Sequence, residues 1–171
     1  GIALLIIQNQ WQMRKVYDAA SYGARNTVPS LIMLDELRKD VLKTRLEVNR
    51  HINAEPTQKA AIAASVKEYS VAMREAFKKY EALVSDDKDR EFLAQEKALW
   101  VEYETQLEPV LALSAANQTE KVLDLVSRIV PGVDKLENTI NDHFLHNETL
   151  SKTSDEAAAS ALNGAQASSL L

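Results

Sequence analysis

The stretch Ile62-Ala63-Ala64-Ser65-Val66-Lys67-Glu68-Tyr69-Ser70-Val71-Ala72-Met73-Arg74-Glu75-Ala76-Phe77-Lys78-Lys79-Tyr80-Glu81-Ala82-Leu83 decides the fold. Ile62, Val66, Tyr69, Met73, Ala76, Tyr80 and Leu83 return at alternating intervals of four and three. That is the seam of a helix packed in a bundle or coiled coil. Upstream, Leu34, Leu37, Val41, Thr44 and Val48 keep the same spacing. Downstream runs a broader stripe of Phe92, Leu93, Leu99, Trp100, Tyr103, Leu107, Val110 and Leu111, followed by Val122, Leu125, Val126, Ile129, Val133, Leu136 and Ile140. Turn-like breaks fall at Asn53-Ala54-Glu55-Pro56, Ser85-Asp86-Asp87-Lys88 and Ser114-Ala115-Ala116-Asn117. They predict four helical segments, over residues 1–53, 57–84, 86–114 and 117–171. The expected fold is all-α: a single-domain, antiparallel up-down-up-down four-helix bundle. Its two long outer helices would overshoot the two shorter inner ones at the same end.

Local signals agree with this division. Ser85, Asp86 and Asp87 place acceptors and negative charge at a helix start. Asn117 with Glu120 resembles a capping box. Pro56 suits an opening helical turn. Pro29, Pro109 and Pro131-Gly132 fall inside helical patterns and predict kinks or local breaks. Glycine and proline number only 4 each, which disfavours a turn-rich sheet fold. Residues 1–26 carry Gln8, Asn9, Gln10, Gln12 and Asn26 among small residues, and residues 151–171 are rich in Ala and Ser. Such arms suit close helix pairing with each other or with a second copy, or else a frayed end.

Composition also limits function. The net charge of −5, with mixed signs, carries no basic footprint for nucleic acid. The absence of cysteine removes disulfide and thiol chemistry. The run Gly1-Ile2-Ala3-Leu4-Leu5-Ile6-Ile7 is too short to span a bilayer, which needs about 20 residues. It reads either as a buried helix start or as the outer end of a transmembrane helix, with Trp11, Arg14 and Lys15 following as interfacial residues would. No complete signal peptide is visible. Leu170-Leu171 would begin a second span in the membrane-anchored reading.

Chemistry is sparse. No Gly-rich phosphate loop and no Glu-x-x-His motif occurs, so no cofactor, metal or catalytic residue is expected. His143 and His146 read as solvated surface residues, and His51 as a favourable charge at a helix C-terminus. Asn117-Gln118-Thr119 and Asn147-Glu148-Thr149 fit the glycosylation pattern, which would carry little weight if the chain is bacterial and is short enough to occur by chance. Arg38, Arg45 and Arg50 lie on the second half of the first segment, with Arg38 and Arg45 one heptad apart. Counting outward from the loops sets Thr44, Arg45, Tyr103, Gln106 and Arg128 at one depth, about 15–20 Å below the tip. Tyr69 reaches the same level. Such a layer suits a carboxylate, which guanidinium binds bidentately. The plainer reading pairs these arginines with Glu47, Glu102 or Glu104 and leaves the polar core residues to set register.

The long-short-short-long pattern, the apolar start, the far-end arginines and Asn26-Thr27-Val28-Pro29-Ser30-Leu31 leading into Leu34-x-x-Leu37-Arg38 together resemble a known family. It is the periplasmic four-helix-bundle sensor domain of bacterial methyl-accepting chemotaxis proteins. The resemblance implies a non-enzymatic ectodomain of an inner-membrane receptor, held by flanking spans, commonly a homodimer, that binds small amino acids or organic acids. Carried over, Arg38, Arg45 and Arg50 match the first-helix role in ligand binding, and Thr119 and Arg128 the fourth-helix role. The expected ligand is a small carboxylate, such as a di- or tricarboxylate or an amino acid, and the expected output runs through the last helix. The same bundle serves sensor kinases and cyclases, and a soluble scaffold or lipid-surface protein is the alternative of another class. The arginine spacing does not reproduce that of the aspartate receptor.

Overall fold

The computed structural model describes residues 2–168, with side chains given for all of these except 2–6, 8, 9, 19, 20, 22, 24 and 165–168. The described residues are helical apart from short connections, and none lies in a strand. The helices are α1 (Ile2–Tyr22), α2 (Val28–Asn53), α3 (Pro56–Tyr80), α4 (Asp87–Ala115) and α5 (Thr119–Ser168). A π-helical stretch, Gly23–Thr27, separates α1 from α2, and a 3-10 turn, Glu81–Leu83, follows α3.

The segment expected as one helix over 1–53 is thus interrupted. Pro29 has no N–H to return to the carbonyl of Arg25, and its ring crowds that carbonyl. The wider π-type turn absorbs this defect just ahead of the proline. The other two prolines do not break their helices. α4 continues through Pro109, and α5 through Pro131. In both, the residue four positions earlier carries a hydroxyl that bonds backbone: Thr105 donates to the Glu102 carbonyl at 2.8 Å and Ser127 to the Asp124 carbonyl at 2.7 Å.

Helix ends follow their side chains. Asp86 caps α4 by accepting from the Asp89 N–H at 2.7 Å, and Pro56 opens α3. Asn117 corrects an expectation. It closes α4 instead of capping α5, in the left-handed conformation with φ 55°. The Gln118 N–H bonds the Leu113 carbonyl and the Asn117 N–H bonds the Ser114 carbonyl, both at 3.0 Å. That is a Schellman closure, in which Asn tolerates the positive φ better than other side chains bearing a Cβ.

The chain divides into two compact units. One is built from the segments up to Ile32 and from Leu145 onward; the other is Met33–Phe144. In the first unit, Lys15 lies over the Trp11 ring at 3.8 Å, and small residues let the helices meet: a Cβ at Gly164 would sit 3.4 Å from Gln12 Nε2. No described helix is long and apolar enough to cross a membrane.

The second unit holds the main core. Leu34, Leu37, Val41, Val66, Met73, Trp100, Leu136 and Ile140 are all buried within it. Truncating any of the large ones to Ala is expected to lower stability by about 2–5 kcal/mol. The seams read from sequence are the buried faces of α2 to α5, with Tyr69, Leu83, Phe92, Leu99, Leu125, Val126 and Ile129 only half-buried.

Candidate functional site

Two neighbouring pockets open in the Met33–Phe144 unit. The first, about 340 Å³, lies between α2, α4 and α5. Ten of its thirteen lining residues are apolar; the others are Arg45, Asn49 and Tyr103. The second, about 350 Å³, lies between α4 and α5 and is more polar, with Glu102, Gln106 and Arg128. Tyr103, Ile129 and Val133 line both.

Arg45 is the cation of the first pocket. Its Nη1 donates to Asp134 Oδ1 at 2.9 Å and to Glu137 Oε1 at 2.8 Å, both one helix away on α5. Burial acts to lower the guanidinium pKa, but Glu137 and then Asp134 outweigh it and hold the value above the ordinary one. Because both bonds use Nη1, Nη2 and Nε remain for another acceptor. Tyr103 is 7% exposed, and burial pushes its hydroxyl well above the ordinary tyrosine range, so it stays a donor. Among the described residues nothing hydrogen-bonds that hydroxyl. The first pocket therefore offers unspent donors beside an apolar wall.

The other residues expected at a site are placed as follows. Gln106 and Arg128 reach the second pocket, where Arg128 pairs with Asp124 at 2.8 Å. Thr44 is fully buried and spends its hydroxyl on the Asp40 carbonyl at 2.8 Å. Tyr69 is half-buried with Lys43 over its ring at 5.4 Å. Arg38 pairs with Asp35 at 2.7 Å, and Arg50 with Glu47 at 3.4 Å, each one turn away on an exposed face. Thr119 is exposed at the start of α5. Four of the nine, Arg45, Tyr103, Gln106 and Arg128, thus share the pocket pair; the other five line neither pocket. Sequence reading did not name Asp134 and Glu137, whose spacing of three on α5 places both acids toward Arg45.

Two polar clusters are buried at opposite ends of the same unit. His143, expected at the surface, is fully buried, because it continues the α5 seam after Leu136 and Ile140. Its Nδ1 lies 2.8 Å from Glu96 Oε1, and its Nε2 bonds Asp89. Tyr80 donates to Asp89 at 2.8 Å, and the Ser85 N–H and hydroxyl donate to it at 2.7 and 2.9 Å. Burial acts to lower the His143 pKa, but the two carboxylates raise it above its ordinary value. Asp89 is held well below the carboxylate range: burial opposes this, but bonds from His143, Ser85 and Tyr80 prevail. Burial raises Glu96.

At the other end His51, expected to act as a helix-end charge, is 2% exposed. Burial, then Lys59, lowers its pKa, so it stays neutral. Its Nδ1 lies 2.9 Å from Ser114 Oγ, which itself donates to the His51 carbonyl at 3.2 Å. Lys59 donates to the Ser114 carbonyl at 2.5 Å, neutralising the C-terminal end of α4. Neither cluster forms a metal-ligand group; none occurs among the described residues.

No curated protein and no solved structure matches this chain. A family model does, and it agrees with the helical architecture. Residues 8–161 match the four-helix-bundle sensory module for signal transduction, and the chain belongs to that family.

Proposed function

We propose that this chain is the extracytoplasmic sensor domain of a transmembrane bacterial chemoreceptor, and that a small carboxylate binds in the Arg45 pocket. It performs no catalysis. Family membership supports the sensory role. The single observation that carries the ligand reading is Arg45, whose Nη2 and Nε are unspent beside the free hydroxyl of Tyr103 in a pocket bounded by three helices. An up-down-up-down arrangement, with long outer and short inner helices, suits the cross-helix bonds. His51 near the end of α2 meets Ser114 near the end of α4, and Tyr80 at the end of α3 meets Asp89 at the start of α4.

A ligand held by both α2 and α5 must favour one relative placement of the two helices to create a signal. The output then leaves along α5. The exposed Trp11, with Lys15 stacked on it, suits an interfacial position against the bacterial inner membrane on the periplasmic side. Two copies assemble in this reading.

Calorimetric titration of the chain with a panel of organic acids and amino acids tests the proposal. A binder is expected, with affinity at least tenfold weaker in Arg45→Ala and unchanged in Arg38→Ala. An Arg45→Ala variant that binds as well as the parent removes the site, and a panel without any binder removes the ligand-sensing role.

A further inference from the structure

The Arg45 pocket also limits which carboxylate it accepts. Its lining carries one cation, and that cation already stands against two acids, Asp134 and Glu137. A ligand with one carboxylate can take the unspent Nη2 and Nε of Arg45 together with the Tyr103 hydroxyl. A second carboxylate on the same ligand has no further cation on the lining to meet and is repelled by the two acids behind Arg45. Apart from Asn49 the rest of the wall is hydrocarbon, including Ile52, Leu107, Val110, Val126 and Val130. A hydroxyl- or carboxylate-bearing body set against that hydrocarbon would lose its water without gaining a partner. The neighbouring pocket, with Glu102, Gln106 and Arg128, is where a multiply polar body would find partners, but Arg128 is exposed to solvent and already pairs with Asp124.

We infer that the ligand of the Arg45 pocket is an amphipathic monocarboxylate, its single carboxylate on Arg45 and Tyr103 and its branched aliphatic or single-ring body against Ile52, Leu107, Val126 and Val130. This rests on the reading of the chain as a carboxylate sensor. It differs from that reading in excluding di- and tricarboxylates from this pocket. Specificity comes from the apolar wall, and orientation from the two donors. Each methylene added within the pocket's reach then strengthens binding about fourfold.

The test is calorimetry on the chain at pH 7 with 4-methylpentanoate, butanoate, malate, citrate and 4-methylpentan-1-ol. 4-Methylpentanoate should bind at least tenfold tighter than malate or citrate, and tighter than butanoate. Tyr103→Phe should weaken it about threefold or more and Arg45→Gln at least tenfold, with melting curves confirming that both variants fold. Malate or citrate binding tighter than 4-methylpentanoate, and weakened by Arg45→Gln or Arg128→Ala, overturns the ligand class and leaves the sensor reading standing. Should the alcohol bind as tightly as the acid, the carboxylate contact is wrong. If no acid of either kind binds, this inference falls, while the wider panel of organic acids and amino acids still decides the sensor reading.

Discussion

Two histidines are buried at opposite ends of one helical unit, and their neighbours give them opposite charge states. His143 has a carboxylate on each ring nitrogen, Glu96 on Nδ1 and Asp89 on Nε2. Only an imidazolium donates in both directions while both acids remain ionised. His51 faces the Ser114 hydroxyl and stands beside Lys59, with no acid bonded to it. A second positive charge there would be unopposed, so the ring stays neutral. Burial alone would lower both pKa values. The difference shows that the partner, not the depth, decides whether a core histidine carries charge.

The largest expected difference between the ends is in stability. His143→Ala leaves Asp89 and Glu96 buried without their cation, a loss of about 3–5 kcal/mol. His51→Ala removes one hydrogen bond and some packing, a loss of about 1–3 kcal/mol. Urea denaturation at pH 7 compares them, and a larger loss for His51→Ala breaks the contrast.

Next comes pH. The His143 pKa is raised, so its contribution is fully present below about pH 6.5 and is lost as pH rises through the raised value. Glu96, also raised, acts in the same direction from a lower pH, since its ionisation adds a buried negative charge. The His51 pKa is lowered, so its contribution is present above about pH 6.5 and is lost as pH falls. Asp89, held low, adds to the acid loss below about pH 4. Melting temperatures from pH 4 to 9 should therefore fall on both sides. His51→Gln flattens the acid side and Glu96→Gln the alkaline side. If either variant leaves its own side unchanged, that assignment is wrong.

The smallest expected effect lies between the ends. Gly132 sits inside α5, and a Cβ added there meets nothing within 4 Å. Gly132→Ala should raise stability by about 1 kcal/mol through helix propensity and leave the pH profile unchanged. A loss of stability, or a shifted profile, would mean that this turn of α5 is coupled to one of the clusters.

The seams were legible in the sequence, and they continue further than their apolar residues indicate. On α4 the buried series Asp89, Leu93, Glu96, Trp100, Tyr103, Leu107, Val110, Ser114 alternates by four and three throughout, with Leu111 buried beside it. On α2 the series Leu34, Leu37, Val41, Thr44, Val48 continues to His51, and on α5 Val133, Leu136, Ile140 continues to His143. Reading by hydrophobicity stops where a polar residue enters the seam, so it placed His143 in solvent. Reading by spacing alone would have placed it in the core. The candidate site was legible only in part. Arg45 and Tyr103 stood out as polar interruptions at matching depth. The acids that tie down Arg45 did not, because Asp134 and Glu137 differ from other surface acids of α5 only in what lies across from them. Arg38 and Arg50 could not be set apart from Arg45 by residue type, since each finds an acid three residues away on its own helix.

Tyr103, Ile129 and Val133 form a partition between two spaces of nearly equal size. A partition has two faces, so an occupant that presses it one way takes room from the other side. Reciprocity then requires that whatever factor a first guest imposes on the affinity of a second, the second imposes on the first. In the proposed sensor an inhibitor therefore need not resemble the ligand: a polar molecule lodged behind Tyr103, beside Gln106 and Gly132, would compete with an apolar one in front of it without touching the same donors.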